Sequence, residues 1–193
     1  LEEDVVHLSM PRVTVRESLS EFGGSKRQTW FVSHNGPLPS LLVVLGAPTG
    51  KKTDVERKEV PTWIRGGSKA VKREFLAAFH GGDGCKFRAN VVGKSVYIAC
   101  NTTSQQCVPE YVGALRRTFE QIIDLFAEFG VEAHMLPDKV VNTDRICVRY
   151  IFGGSRANLL RFWTEIGMRF VTHKEGESAI IAEFIREHGA ENV

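Results

Sequence analysis

The chain has 193 residues, of which 42% are hydrophobic and 25% are charged, a mix typical of one globular domain or two small fused halves. The formal net charge is only +2, so bulk charge neither requires nor excludes a nucleic-acid partner. No apolar run approaches the roughly 20 residues that cross a bilayer, and we therefore expect no membrane partner.

The N-terminus is acidic and lacks the basic and apolar regions of a secretory signal. Because Leu1 is not a natural start, we expect the chain to be a fragment or a processed product. The four cysteines form no CxxC pair and predict unpaired thiols, hence a protein of a reducing intracellular compartment, nuclear if the host is eukaryotic.

The first 46 residues contain two alternating segments and a short apolar segment. Polar and apolar side chains alternate over residues 12–16 and again over 29–33, which predicts two strands. A helix is predicted over 39–45, closed by Gly46. Residues 47–67 are rich in glycine, proline and lysine and are predicted to be a linker.

Helical periodicity predicts four helices downstream, over residues 69–80, 109–129, 156–166 and 173–188. We expect Gly81 and Gly82 to end the first helix and Gly130 to end the second. Ser155 is the expected N-cap of the third helix, and Thr172 stands in capping-box position before the fourth.

Strands are predicted in pairs between these helices. Alternation predicts strands over residues 85–91 and 95–103, joined by a turn at Gly93, and then over 131–135 and 145–152. The order from residue 68 is helix, two strands, helix, two strands, helix, and one further helix. Residues 68–193 therefore form a complete unit, and residues 1–46 are expected to be the end of an earlier copy of it.

Residues 74–84, EFLAAFHGGDG, resemble the LAGLIDADG motif of homing endonucleases in the form common in intein-borne members. Leu76, Ala77, Asp83 and Gly84 match the motif, whereas Gly81 replaces its earlier acid. Three further segments resemble the surroundings of that motif in intein endonucleases, namely residues 46–64, 119–130 and 166–174.

The resemblance implies an α+β protein with the αββαββα LAGLIDADG fold, a saddle-shaped antiparallel sheet and an incomplete first half. It implies a site-specific endonuclease that hydrolyses double-stranded DNA with Mg²⁺ or another divalent cation. Asp83 is the predicted catalytic residue and metal ligand, with the Gly82 carbonyl as a second oxygen donor. The small residues Ala77, Ala78 and Gly81 are expected to let two such helices approach closely. Lys58 is a further catalytic candidate.

The predicted strands carry polar side chains that alternate with apolar ones, as required of a sheet lying in the major groove. The candidate DNA-binding residues of the complete unit are Lys86, Arg88, Asn90, Tyr97, Asn101, Arg145 and Arg149. The first segment adds Arg12, Arg16 and Arg27. In the predicted linker, Lys51 and Lys52 are candidates for phosphate contacts.

The chain contains no second LAGLIDADG motif, although the active site needs two carboxylates. Three explanations stay open: a missing upstream half, a homodimer, or a protein that binds without cleaving. The alternative function is thus a non-cleaving DNA- or RNA-binding module descended from such an enzyme. A third hypothesis is an insert that only supports a splicing domain. The family's splicing residues are absent, so we expect no protein splicing.

Overall fold

A computed structural model describes residues 13–22, 25–34, 37–47, 59–93, 95–100, 102–169 and 171–189. The chain divides into two compact units, Leu1–Ala47 and Pro48–Val193. Helices and small antiparallel sheets together make an α+β protein, as predicted. Within the described ranges, no helix combines the length and the apolar character needed to cross a membrane.

The first unit contains a hairpin followed by a helix. Strand β1 (Val13–Phe22) pairs antiparallel with β2 (Ser25–His34), and helix α1 (Pro37–Val44) follows. The predicted order of two strands and a helix is confirmed. Arg16 lies on β1 and Arg27 on β2, but their side chains are outside the described part, as is all of Arg12.

The described end of the predicted linker contributes to the core of the second unit. Helix α2 (Thr62–Arg65) lies within it, and Val60 and Ile64 are buried. The Val60 amide also donates a hydrogen bond of 2.9 Å to Oε1 of Gln121. The described end of the predicted linker is therefore part of the second unit and of its hydrophobic core.

Helix α3 (Lys69–Asp83) begins at Ser68, whose hydroxyl accepts a hydrogen bond from the Val71 amide. The prediction that Gly81 and Gly82 end this helix was wrong. A glycine ends a helix when it adopts a positive φ, and neither glycine does so. The helix consequently runs to Asp83, and the motif's carboxylate belongs to its last residue.

The sheets of the second unit use five strands. Strand β3 (Phe87–Val92) pairs with β4 (Ser95–Cys100), as predicted. The predicted single strand over 95–103 was wrong, since a separate strand β5 (Thr103–Cys107) begins there. Strands β6 (Ala133–Asn142) and β7 (Arg145–Phe152) follow, and the second sheet has the order β5-β7-β6, antiparallel throughout.

Strand β6 is longer than the predicted strand over 131–135, because it continues through Pro137 to Asn142. It lies at the edge of its sheet, where a proline without an amide proton breaks no hydrogen bond of an inner strand. The register shifts between Leu136 and Lys139, on either side of the proline. Beyond this shift the hairpin leaves the core, and Val140 is 71% exposed.

The remaining helices follow the predicted order with adjusted ends. A 3₁₀ turn (Pro109–Tyr111) precedes α4 (Val112–Ala127), and α5 (Arg156–Glu165) and α6 (Thr172–His188) follow. Ser155 caps α5 as predicted, since its hydroxyl accepts from the Asn158 amide at 3.1 Å. Thr172 is not a cap: it is the first helical residue of α6 and Val171 precedes it.

Aromatic side chains dominate the core of the second unit. Helix α4 buries Leu115, Phe119, Ile122 and Phe126 on one side. Phe126 meets Phe152 of β7 edge to face, with ring centroids 5.0 Å apart. Truncation of such a buried ring to alanine costs about 3–5 kcal/mol. This core packs α3 against the strands and thereby fixes the position of the C-terminal end of that helix.

Candidate functional site

The carboxylate of Asp83 is attached to the neighbouring strand. Nε2 of Gln105 on β5 donates a hydrogen bond to Oδ2 of Asp83. Gln105 lies on the core side of β5 and is only 6% exposed, whereas Asp83 is half-buried. A buried amide needs hydrogen-bond partners, so this contact fixes the position of Asp83 as well as satisfying Gln105.

One turn earlier, His80 is fully buried at the end of α3. Its Nε2 lies 3.2 Å from the Cys85 carbonyl oxygen, and its Nδ1 lies 3.1 Å from Oγ1 of Thr103. A carbonyl only accepts, so Nε2 carries the proton and Nδ1 accepts from the Thr103 hydroxyl. Thr103 and Gln105 therefore both connect β5 to the end of α3.

The surroundings of His80 keep its ring neutral. Burial lowers the pKa of His80 to about 4, the hydrogen bond to Cys85 opposes this shift, and the charge of Lys174 adds to it. The rings of Phe152 and Phe162 lie 4.9 Å and 5.0 Å from the His80 ring. The histidine is thus a satisfied core residue that connects α3 to β5, and it carries no charge at neutral pH.

Two glycines of the motif permit close approaches. A Cβ atom on Gly84 would lie 2.4 Å from the His80 ring, and one on Gly81 would lie 2.5 Å from the Arg169 carbonyl oxygen. A Cβ on Gly82, by contrast, would meet nothing within 4 Å. Gly81 and Gly84 are therefore required by packing within this chain, whereas Gly82 leaves open space beside α3.

The predicted helix-pairing residues do not share one face. Ala77 accepts a hydrogen bond of 3.2 Å from the Arg169 amide, and Gly81 packs against the same residue, so both face their own chain. Ala78 is half-buried and projects about 100° around the helix axis from Ala77. We define the outer stripe of α3 as the half-buried residues Val71, Phe75 and Ala78 together with the exposed Gly82. Their spacing places them in one line along the helix.

Lys174 of α6 reaches the C-terminal end of α3. Its Nζ lies 2.8 Å from the carbonyl oxygen of Gly81, 3.0 Å from that of Gly82 and 2.7 Å from that of Gly84. The Gly82 carbonyl, the second predicted oxygen donor for a metal, thus accepts a hydrogen bond from this ammonium group. Within the described ranges, no three His, Cys, Asp or Glu side chains are grouped as a metal site.

The outward face of the β3-β4 hairpin carries three of the predicted DNA-binding residues. Arg88 and Asn90 are exposed on β3, and Tyr97 on β4 is paired with Asn90 and is 60% exposed. Lys86 precedes the strand, and its ammonium group forms an ion pair with Glu177 of α6. Lys86 is therefore engaged with α6.

The outward face of the β5-β7-β6 sheet carries Arg145 and Arg149. On β7 they alternate with the core-facing Val148 and Tyr150. Nη2 of Arg149 donates to the Pro137 carbonyl at 3.0 Å, while its buried Nε has no hydrogen-bond partner among the described residues. The neighbouring side chains that point the same way include the polar Ser104, Gln106, His134 and Lys139 and the apolar Leu136, Cys147 and Ile151.

This outward face carries no carboxylate among the described residues. The three strands contain a single acidic residue, Asp138, and its Oδ1 accepts from Nη1 of Arg116 on α4 at 2.8 Å. A face with arginine, lysine and amide groups but no carboxylate attracts phosphate oxygens and presents donors for base edges.

Several predicted residues lie outside the described part of the chain: Lys51, Lys52, Lys58 and Asn101. Conversely, the sequence did not single out Gln105 or Thr103 as residues of the site, and it indicated Lys174 only as the end of the segment 166–174 that resembles intein endonucleases. The first four residues of the segment Thr103–Cys107 are all polar, so a strand there must place polar side chains at core-facing positions, which is an available signal. It was lost because that segment was not predicted to be a separate strand.

Comparison with known proteins identifies two similar chains. The replication factor C small subunit of Methanocaldococcus jannaschii is 27% identical over 165 residues, which cover 83% of this chain and 8% of that protein. The tRNA-splicing ligase RtcB of Methanopyrus kandleri is 28% identical over 148 residues, which cover 76% of this chain and 14% of that protein.

This chain therefore spans only a small fraction of the curated relatives that it matches, 8% of one and 14% of the other. The two matches cover 83% and 76% of this chain, so more than half of its residues are matched in both relatives. No family model matches the chain, and no solved structure gives a significant match.

Proposed function

We propose that this chain is part of a site-specific, LAGLIDADG-type DNA endonuclease, in which Asp83 is the metal-binding carboxylate. The observation that carries the proposal is the position of Asp83. It is the last residue of the motif helix, and Gln105 of β5 holds its carboxylate. A carboxylate fixed at the junction of a helix and a sheet is preorganised to hold a cation beside a bound duplex.

The order of elements supports the finer fold proposal. From Lys69 the chain runs helix, hairpin, helix, hairpin and helix, if β4 and β5 are taken as one strand interrupted after Cys100. On that view one sheet would have the spatial order β3, the interrupted strand, β7 and β6. This is the αββαββα order of one LAGLIDADG half.

The oxygen donors at the end of α3 fit a hard divalent cation in kind but not in number. Asp83 supplies a carboxylate, while the Gly82 carbonyl accepts from Lys174. Mg²⁺ held by carboxylates supplies an activated water and stabilises the leaving oxygen in phosphodiester hydrolysis. In the proposal, Asp83 is the ligand that this chain contributes, and Gln105 orients it.

The second carboxylate must come from another motif helix, and the outer stripe of α3 provides a surface for it. Val71, Phe75 and Ala78 are only half-buried, and the space beside Gly82 is open. A small residue at the end of an apolar stripe allows two helix backbones to approach closely. A second copy of α3, from another chain or another half, would bring its carboxylate close to Asp83.

The outward faces of the two sheets support a duplex DNA partner. The β3-β4 face presents Arg88, Asn90 and Tyr97, and the other face presents Arg145 and Arg149 without a carboxylate on its described strands. Arginine and asparagine are the side chains best suited to read guanine and adenine in the major groove. The guanidinium group of Arg149 lies on this outward face and donates through Nη2 to the Pro137 carbonyl, in a contact open to solvent, while its Nε is buried.

The two relatives support an inserted module. Their names denote different proteins, yet both contain a segment similar to the same part of this chain, and that segment is a small fraction of each. A segment shared by such different proteins is expected of a mobile element with its own function. This is the behaviour of an endonuclease carried within an intein.

The test is cleavage of a pool of random DNA duplexes with and without Mg²⁺, by the wild-type chain and by Asp83→Asn. We expect Mg²⁺-dependent double-strand cleavage that falls on the order of 1,000-fold in the variant, while duplex binding persists. Asp124→Asn, an exposed acid on α4, is the matched control and should cleave like the wild type. Equal cleavage by wild type and Asp83→Asn would refute the proposed role of Asp83.

A second candidate is a module that binds nucleic acid without cutting it. The described residues supply one motif carboxylate, and one carboxylate is insufficient for the proposed chemistry. Salt-dependent duplex binding together with the absence of Mg²⁺-dependent cleavage, under conditions where the chain is dimeric, would favour this candidate.

A further inference from the structure

The ammonium group of Lys174 fills a ring of backbone oxygens at the end of α3. An ammonium has three N–H donors, and the carbonyl oxygens of Gly81, Gly82 and Gly84 lie 2.8, 3.0 and 2.7 Å from its nitrogen. Each donor thus has its own acceptor. The arrangement is a cation site made of main-chain oxygens, and the protein fills it with its own side chain.

The end of a helix needs such a cation for two reasons. The last carbonyl groups of a helix have no intrahelical partners, and they carry the negative end of the helix dipole. Here the Gly84 amide closes the helix on the His80 carbonyl at 2.8 Å, and the following oxygens converge on Lys174. Without the ammonium, three partial negative charges would face one another beside the Asp83 carboxylate.

The position of Lys174 on its own helix is unfavourable. It lies in the first turn of α6, where the helix dipole favours acidic residues such as Glu175 and disfavours a lysine. Its contacts with α3 offset this cost. A residue that opposes its local preference while making three contacts elsewhere points to a role at those contacts.

The same face of α6 fixes the chain on the other side of Asp83. Oγ of Ser178 accepts a hydrogen bond of 3.1 Å from the Phe87 amide, and Glu177 forms an ion pair with Lys86. Helix α6 therefore contacts the turn both before and after Gly84. The position of the Asp83 backbone depends on this helix as much as on α3.

We infer that Lys174 is a positioning residue for Asp83: its ammonium acts as the internal cation of the α3 terminus and fixes the turn that carries the carboxylate. The inference rests on the proposed function only in that the proposed function makes Asp83 the metal-binding carboxylate. The Gly82 carbonyl is then occupied by Lys174. While that hydrogen bond persists, Asp83 would bind a metal ion through its side chain, without the Gly82 oxygen as a second ligand.

The test reads the geometry by NMR and needs no cleavage. In the wild type, we expect the Lys174 ammonium protons to exchange slowly with water, unlike those of the exposed Lys69. In Lys174→Met, the Gly84 amide should exchange on the order of tenfold faster, and the Gln105 side-chain amide resonances should shift. Lys86→Met is the matched control, because it also removes a contact with α6 but leaves the α3 carbonyls paired.

Chemical rescue distinguishes positioning from general stabilisation. In Lys174→Ala, added n-propylammonium replaces the missing charge and its three donors and should restore the Gly84 and Gln105 signals. Tetramethylammonium has the charge without N–H donors and should not restore them.

Three results would overturn the inference: rapid exchange of the Lys174 ammonium in the wild type, an equal effect of Lys86→Met, or equal rescue by tetramethylammonium. If the NMR results hold and no DNA is cleaved, the proposed function fails and the positioning role stands. If DNA is cleaved but the Gln105 side-chain resonances are the same in Lys174→Met as in the wild type, the positioning role fails and the proposed function stands.

Discussion

Asp83 and Gln105, 22 positions apart in the chain, are joined by a hydrogen bond from the Nε2 atom of the amide to the Oδ2 atom of the carboxylate. Gln105 faces the core of the unit, and its neighbour Gln106 is exposed on the opposite face of β5. The same strand therefore serves the end of α3 on one side and the outward face of the sheet on the other.

Gln105→Leu removes the donor that orients Asp83. We expect the rate of DNA cleavage to fall on the order of tenfold to a hundredfold with duplex affinity unchanged, because an oriented ligand loses its support. Gln106→Leu is the matched control, since it changes the same residue type on the outward face and should weaken binding rather than cleavage. A loss of affinity in Gln105→Leu, with cleavage intact, would contradict this assignment.

The motif glycines should differ in their effect on stability. Gly81→Ala brings a methyl group to 2.5 Å from the Arg169 carbonyl oxygen, and we expect a loss of about 1–3 kcal/mol in the free energy of unfolding. Gly82→Ala meets open space and should gain about 0.5–1 kcal/mol, since alanine favours the helix. Urea denaturation of both variants measures the difference, and equal effects would be inconsistent with the packing described here.

Gly82→Leu tests the proposed pairing of two α3 helices. The larger side chain enters space that is open in this chain, so thermal unfolding of the isolated chain should change little. It should block the close approach of a second motif helix and abolish cleavage. Sedimentation and cleavage measured together answer the question, and undiminished cleavage by this variant would exclude pairing through the outer stripe.

Stability should fall with acid because of His80. Its pKa is about 4 in the folded chain and 6.5 for a histidine exposed to water, so the unfolded chain binds the proton more readily. The contribution of the neutral, buried His80 to the free energy of unfolding is fully present above about pH 6.5 and is lost as the pH falls towards 4. The loss amounts to at most about 3 kcal/mol. Urea denaturation from pH 7.5 to 4 measures it, and His80→Phe should flatten this dependence.

Arg149 should contribute to duplex binding through an ionic contact. Arg149→Ala should weaken binding to all duplexes and reduce the slope of log affinity against log salt by about 1. Arg117→Ala, an exposed arginine on α4, is the control and should leave the slope unchanged. An unaltered slope in Arg149→Ala would remove this residue from the proposed DNA surface.

The helices were predictable because their apolar residues recur every three or four positions over long segments. Phe119, Ile122 and Phe126 fill one face of α4, as their spacing requires. The helix ends were less predictable, since Gly81 and Gly82 remain helical. Their conformation depends on Arg169 and Lys174, residues about 90 positions downstream.

The candidate site was only partly visible in the sequence. Asp83 was identified from a local motif, and the shared face of Arg88, Asn90 and Tyr97 followed from strand alternation. Gln105 and Thr103 enter the site only through packing of β5 against α3, and the contacts of Lys174 with α3 depend on the packing of α6. Strand β5 is short and polar, so periodicity could not separate it from a loop.

Pro137 has a consequence for how copies of this protein can associate. A free strand edge is a template on which a foreign strand can add, and β6 forms one edge of its sheet. The missing amide of Pro137 and the irregular register beside it interrupt that template in its middle. Strand addition along β6 is thereby disfavoured, which protects this edge of the sheet against aggregation through intermolecular strand pairing.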